Sequence, residues 1–176
     1  MRHIISILVE NEFGVLSRIS GMFSARGFNI ENLSVNETLE PTASRITLQT
    51  SGDDRVLEQI IKQLNKLVPV IKVVDLRDAP HVERELALVK VRADATTRNE
   101  VMTIADIFRA KIVDVASDTL IIEITGDDDK INALVTLLSP IGIKEIARTG
   151  KTALFRGDRL LTMDRDKAGK AKEHVA

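Results

Sequence analysis

The sequence predicts an α+β fold made of two ferredoxin-like βαββαβ domains. Strand-like and helix-like apolar patterns alternate in that order in each half of the 176 residues. The letters also repeat: SGDDR at 51–55 returns as TGDDD at 125–129, and IKVVDL at 71–76 returns as IKEIAR at 143–148. These offsets of 74 and 72 positions indicate a duplicated domain rather than a solenoid.

The first strand and helix are predicted from a change of apolar period. Residues 4–9 are apolar and largely β-branched, which is typical of a buried strand. From Val15 onward the period becomes helical, and Gly27 suits the position just past the helix end. The predicted apolar face of this helix comprises Leu16, Ile19, Met22 and Phe23.

Four further elements complete the first domain. Residues 28–35 predict a second strand, expected beside the first, and residues 45–50 predict a third after a turn at Pro41. Asp53 is the expected N-cap of a second helix, followed by a fourth strand at 70–76. The apolar stripe of that helix is Val56, Leu57, Ile60, Ile61, Leu64 and Leu67. With right-handed crossovers, this order gives a four-stranded antiparallel sheet with two helices on one face.

The second half repeats the order. Strands are predicted at 86–91, 111–116, 119–125 and 143–148. Two helices are predicted from the apolar sets Val101, Ile104, Ala105, Phe108 and Ile131, Leu134, Val135, Leu138. The acidic run Asp127–Asp129 precedes the second of these sets and is interpreted as helix capping.

The predicted organisation has four parts. A first domain covers 1–77, a polar linker covers 78–84 and a second domain covers 85–161. The tail at 162–176 lacks an apolar face and is predicted to be disordered.

Composition excludes several classes of protein. The 25 basic and 26 acidic residues give a net charge of -1, which argues against a nucleic-acid or membrane partner. Cysteine is absent, so disulfides, thiolate nucleophiles and cysteine-ligated metals are excluded, and the three histidines show no metal spacing. The first apolar run is too short to span a membrane and lacks a signal-peptide cleavage site, so a cytoplasmic location is expected.

The loop NEFG at 11–14 is the distinctive segment. The corresponding RADATTRNE at 92–100 has no glycine, so the two halves differ here. Gly14 would let a ligand approach the backbone closely, and the unpaired N–H groups of the following helix suit a single small carboxylate or phosphate. The alternative, that Gly14 only shapes a turn, stays open. Asn11 and Asn29 would either cap the backbone or bind the two charged ends of an amino acid.

The residues alone disfavour two other classes of protein, an enzyme and an RNA-binding module. An enzyme is disfavoured because the loop offers a single titratable group, Glu12. An RNA-binding module is disfavoured because the central strands at 4–9 and 45–50 contain no aromatic residue on which bases would stack.

The loop and its surroundings resemble an ACT domain, a small regulatory module that binds amino acids. The wider match resembles the regulatory small subunit of acetohydroxyacid synthase, also called acetolactate synthase, and extends over 1–161. It rests on RHIISILVENEFGVLSRISGMFSARGFNIENLSV, SRITLQTSGDD, LEQIIKQLNKLVPVIKV and HVERELALVKV. A free-standing ACT-type amino-acid sensor is the alternative.

The resemblance implies a non-catalytic subunit without a cofactor of its own. Its catalytic partner would carry thiamine diphosphate, FAD and magnesium, and would act in branched-chain amino-acid synthesis. The small subunit would raise that activity and confer feedback inhibition, typically by valine. Such subunits usually form dimers through side-by-side ACT sheets, with the effector at the interface.

The resemblance also assigns the effector site. Its residues are Asn11, Gly14, Val15, Leu16, Asn29 and Ile30. The N–H groups near Gly14 would hold the effector's carboxylate, while Asn29 or a strand carbonyl would hold its ammonium group. Val35 or the partner chain would hold the apolar side chain. Phe13 and Asn36 are larger than the residues that the family often has there.

Overall fold

The computed structural model describes residues 1–162, and contacts divide the chain into two compact units. Unit 1 contains Met1–Val82 together with residues 153–162, and unit 2 contains Glu83–Thr152. The predicted limits 1–77, 78–84 and 85–161 remain predictions, since grouping by contacts attaches 153–162 to unit 1. The predicted disordered tail lies outside the described residues except for Thr162.

Unit 1 has the predicted ferredoxin-like fold. Its elements are β1 (Arg2–Glu10), α1 (Val15–Ala25), β2 (Asn32–Glu37), β3 (Ala43–Ser51), α2 (Asp54–Leu64) and β4 (Val70–Asp75). The strands form one antiparallel sheet in the order β2-β3-β1-β4. A short 3-10 turn at Leu76–Asp78 follows β4.

The core of unit 1 lies between the sheet and its two helices. Alternate residues of β1 and β3 are fully buried there, as the predicted half-buried strand pattern requires. They pack against α1 and α2 through Ile19, Phe23, Leu57, Ile60 and Leu64. Asp53 caps α2 as predicted, because its side chain accepts from the Val56 N–H at 2.8 Å.

On the opposite face of the same sheet, Leu161 covers two apolar side chains. Leu161 packs with Leu8 and Ala43, which are both buried. Arg45 Nη2 donates to the Leu161 carbonyl at 3.1 Å. Burial lowers the pKa of Arg45.

Two predictions for this unit are wrong in detail. Leu16 was expected on the core face of α1 but is 43% exposed, and Val15 is buried in its place. The buried residues of α1 fall at 15, 19, 22 and 23, which is the i, i+4, i+7, i+8 spacing of one helix face. The second strand begins only at Asn32 and pairs with β3, because β3 and β4 already flank β1 on both sides.

Unit 2 has the same topology and is also ferredoxin-like. Its elements are β5 (His81–Arg92), α3 (Arg98–Ile107), β6 (Lys111–Val115), β7 (Thr119–Gly126), α4 (Asp128–Leu138) and β8 (Ile143–Arg148). Its sheet has the order β6-β7-β5-β8, and its helices pack on a core that includes Val89, Val91, Ile122, Ile131 and Leu134. Asp127 caps α4 by accepting from the Lys130 N–H at 3.0 Å, as predicted.

The sequence did not predict one strand, which pairs with part of the segment predicted to be a linker. A short strand, β9 (Thr152–Phe155), pairs with β5. β5 begins at His81, inside the segment predicted to be a polar linker. A ladder partner about 70 residues further along the chain explains why polar residues there are extended and ordered.

A charge cluster closes one end of unit 2. Glu85, which is 3% exposed, accepts from Arg148 Nε at 2.9 Å. Lys151 Nζ lies 2.8 Å from Asp128 Oδ2 and 3.0 Å from Glu83 Oε1. The hydrogen bond to Glu85 raises the pKa of Arg148.

Within residues 1–162, no helix is both long and apolar enough to cross a membrane.

Candidate effector site

Asn11 is held by the hairpin between β2 and β3. Its Nδ2 donates to Glu37 Oε1 and to the Pro41 carbonyl, each at 3.0 Å. Its Oδ1 accepts from Ser44 Oγ at 3.1 Å, and its backbone N–H donates to the Thr42 carbonyl at 2.8 Å. The Asn11 amide therefore fixes the position of the loop that leads into α1.

Gly14 opens the space in front of α1. It adopts φ 81° and ψ 0°, a left-handed conformation that glycine reaches without strain, and it is the N-cap residue of α1. A Cβ at this position would meet no heavy atom within 4 Å. The requirement for glycine is therefore conformational, and a ligand can approach the start of the helix.

The start of α1 differs in charge from the starts of the other described helices. Aspartate side chains cap α2 and α4, and the first turns of α2, α3 and α4 all contain acidic residues. α1 has no side-chain cap and no acidic residue in its first turn. Because the N-terminus of a helix carries a partial positive charge, this is the helix start in residues 1–162 best suited to an external carboxylate.

Unit 2 shows what fills the corresponding position there. Asp94 lies four residues before α3, as Asn11 lies four residues before α1. Its Oδ1 accepts from the backbone N–H groups of Thr96 and Thr97, at 3.0 and 3.2 Å, and from both hydroxyls. These bonds, led by that of the Thr96 hydroxyl, lower the pKa of Asp94 to about 2. Unit 2 thus places a carboxylate in the loop before α3, at the position where unit 1 has the Asn11 amide.

The apolar candidates near Gly14 have different environments. Val15 is buried in the core and contributes only its backbone to the surface. Leu16 and Val35 are 43% and 40% exposed, so each presents an apolar side chain to a ligand or partner. Phe13 is fully exposed at the tip of the loop.

Comparison with known proteins covers both units. A family model described as "AHAS small subunit-like ACT domain" matches residues 5–72, and one described as "Small subunit of acetolactate synthase" matches residues 84–157. The acetolactate synthase small subunit of Aquifex aeolicus is 56% identical over 88% of this chain and 81% of its own length. A probable acetolactate synthase small subunit of Archaeoglobus fulgidus is 52% identical over 90% of this chain and 99% of its own.

The chain belongs to the acetolactate synthase small-subunit family. The crystal structure of the small subunit from Thermotoga maritima agrees, with a TM-score of 0.82 and 42% identity over 90% of this chain and 99% of that one. The family resemblance read from the sequence is therefore confirmed, as is the ACT-type fold of unit 1.

The site residues of this small subunit do not all lie together in one chain. The Thr50 hydroxyl donates to the Asn29 carbonyl at 2.7 Å, and Thr50 pairs with His3 near the start of β1. Asn11 instead contacts Ser44 at the other end of β3. Six residues of strand separate these points, or about 20 Å. The expectation that Asn29 lies close to the Asn11 loop is thus wrong within a single chain. Ile30 is adjacent to Asn29 and packs at the edge of the core, so it is also distant from that loop.

The hairpin partners of Asn11 were missed from the sequence. Glu37, Pro41 and Ser44 lie 26 to 33 positions away, so no local pattern marks them. The pairing register of β1 and β3 would have found them, since Ser44 pairs with Val9 at the end of β1.

Among residues 1–162, no group of three or more His, Asp or Glu side chains is arranged to hold a metal ion.

Proposed function

We propose that this chain activates the catalytic subunit of an acetolactate synthase and makes it sensitive to feedback inhibition by valine. The observation that carries the proposal is the open, uncapped start of α1 behind Gly14. N–H groups at that start would receive the carboxylate of the amino acid, and the exposed Leu16 would contact its side chain. Thiamine diphosphate, FAD and magnesium are expected in the catalytic partner, and a cytoplasmic location is expected for both.

The separation of Asn11 and Asn29 favours a site shared by two copies. β2 is an edge strand of the unit 1 sheet, and an edge presents unpaired backbone groups to a second strand. If β2 pairs antiparallel with β2 of another copy, the start of one strand lies beside the end of the other. The Asn29 segment of one protomer would then meet the Asn11–Gly14 loop of its partner, as a two-fold axis requires.

Each chemical group of the effector has a matching group in this arrangement. The carboxylate would lie at the N–H groups after Gly14. The ammonium would be received by the Asn29 side chain or by a backbone carbonyl near Ile30 of the other protomer. Valine would thereby link two chains, so its addition should tighten the dimer.

Reconstitution tests the proposal. The purified chain should form no acetolactate alone, should raise the turnover of its cognate catalytic subunit, and should bind valine in calorimetry, with leucine and isoleucine as comparison ligands. A chain that binds valine but leaves the catalytic subunit unchanged would be a free-standing sensor. A chain that neither binds valine nor activates would contradict the proposal.

A further inference from the structure

Three loops at one end of the unit 1 sheet carry the most exposed apolar side chains. Phe13, Leu39 and Val68 are 104%, 103% and 88% exposed, and the next large apolar residue in the described chain is Met1 at 80%. They lie in the β1–α1 loop, the β2–β3 hairpin and the α2–β4 loop. A single exposed apolar residue needs no explanation, but a grouped set marks an interaction surface.

Hydrogen bonds hold these loops side by side. Asn11 Nδ2 donates to the Pro41 carbonyl at 3.0 Å, and the Glu10 N–H donates to the Pro69 carbonyl at 2.8 Å. With the strand order β2-β3-β1-β4, the loops follow one another along the same end of the sheet. At about 4.8 Å between strands, the row extends over roughly 10–15 Å. We call this row, Phe13 with Leu39 and Val68, the loop end.

The loop end is acidic around two of its three apolar residues. Glu12, Glu37 and Glu40 are exposed there, and residues 10–14 and 37–42 contain no Lys or Arg. A partner that fits must therefore offer an apolar depression bordered by basic side chains.

We propose that the loop end docks on the catalytic subunit at an apolar depression bordered by Lys and Arg. This inference rests on the proposed function, because it takes that subunit as the partner. A second copy is a poorer occupant, since a two-fold contact of the loop end with itself would bring six carboxylates together. The contact proposed between copies uses the β2 edge and, at this end of the sheet, the Asn11–Gly14 loop, but it does not use Leu39 or Val68.

Docking at the loop end gives the effector a short route to the catalytic subunit. Phe13 directly precedes Gly14, whose left-handed conformation sets the direction of the chain before α1. A carboxylate held by the N–H groups after Gly14 would fix that turn, and with it the orientation of the Phe13 side chain. Valine would then inhibit the enzyme by changing the orientation of Phe13, one of the three side chains that contact the catalytic subunit.

The test compares two matched triple variants of the full chain. In the first, Phe13→Ser, Leu39→Ser and Val68→Ser remove the loop-end anchors. In the control, Ile107→Ser, Val115→Ser and Leu137→Ser remove apolar residues of unit 2 that are 70%, 65% and 51% exposed. The readouts are the chain concentration that half-maximally activates the cognate catalytic subunit, the sedimentation mass and circular dichroism.

The loop-end variant should stay folded and dimeric but need at least about tenfold more chain for half-maximal activation. The control variant should match the wild type. Reversal of two charges, Glu12→Lys with Glu40→Lys, should weaken activation and reduce its dependence on salt. A folded loop-end variant with unchanged half-maximal activation would overturn the docking proposal alone. So would one that loses its dimer yet still activates, because the occupant would then be a second copy. A wild-type chain that never activates would overturn the proposed function as well.

Discussion

The Asn11 side chain donates to Glu37 Oε1 at 3.0 Å and so joins the end of β1 to the end of β2. The same amide also bonds to Pro41 and Ser44, which makes Asn11 a structural member of the candidate site. Asn29 differs, because its contact with Thr50 is made by its backbone carbonyl. The two asparagines should therefore respond differently to substitution.

Asn11→Ala should lower both stability and valine affinity. It removes three side-chain hydrogen bonds at an exposed position, for a cost of about 1–2 kcal/mol in the free energy of unfolding. Asn29→Ala should leave the free energy of unfolding within about 0.5 kcal/mol of wild type and still weaken valine binding. Urea unfolding and calorimetry on both variants separate the effects. Equal stability losses in the two variants would contradict the assignment.

Gly14→Asp should weaken valine inhibition more than its matched control, Gly14→Asn. Both residues add a similar side chain in the left-handed region, where a side chain costs about 1–2 kcal/mol and Asn and Asp are tolerated best. Only Asp adds a charge, which at ~4 Å repels a carboxylate by about 1 kcal/mol in water and about 4 kcal/mol at a protein surface. Valine affinity in Gly14→Asp should be lower than in Gly14→Asn by between several-fold and roughly a thousandfold. Equal inhibition of the two reconstituted variants would place the effector elsewhere.

A mixing experiment tests whether two chains build each site. Gly14→Asp and Asn29→Ala should each be defective in valine binding as homodimers. Mixed dimers would contain one intact site, since both substitutions fall in the other, so about a quarter of all sites should recover after exchange. Calorimetry of the mixture measures this fraction. No recovery, despite exchange shown by mass spectrometry, would argue for a site within one chain.

The hydrogen bonds of Asp94 in the loop before α3 should make the stability of the protein depend on pH. The pKa of Asp94 is lowered from 3.8 to about 2 in the folded state, so its contribution to stability is fully present above about pH 4. That contribution is lost as the pH falls through about 2. Asp94→Asn should therefore be less stable than wild type at pH 7, and the difference should vanish toward pH 2. A constant difference in urea unfolding across this range would contradict the prediction.

In the charge cluster of unit 2, a second substitution should recover part of the stability that a first one removes. Arg148→Met would leave the buried Glu85 carboxylate without its bidentate partner, at a cost of about 2–3 kcal/mol after allowance for the partial exposure of Arg148. Adding Glu85→Gln removes the uncompensated charge and should restore about half of the loss. Denaturant unfolding of the single and double variants measures the coupling. A double variant less stable than Arg148→Met would exclude this explanation.

Local chemistry explains which features were predictable. Asp53 and Asp127 each accept a hydrogen bond from the N–H three residues later, so a short stretch of sequence is enough to predict that they cap helices. Leu16 was misplaced because Leu16 and Val15 precede Ile19 by three and four positions, and both spacings fit one helix face, so the apolar pattern alone does not choose between them.

The remaining errors concern partners distant in sequence. β9 has four residues and is recognisable as a strand only through its pairing with β5. The positions of Asn11 and Asn29 at opposite ends of the sheet follow from the pairing of β1 and β2 with β3, since both strands are antiparallel to β3 and one ends where the other does, at the end opposite to the start of β2. A linear pattern shows neighbours along the chain, and these relations depend on neighbours across the sheet.

The cover that Leu161 provides for Leu8 and Ala43 has a consequence for how the protein is made. All the strands of the first sheet have been synthesised by residue 82, but their cover arrives 79 residues later, after the whole of Glu83–Thr152. At roughly 5–20 residues per second, a ribosome needs about 4–16 s to add it. During that interval Leu8 and Ala43 lack the side chain that packs on them, so a chain released early, at Thr152, would lack it permanently.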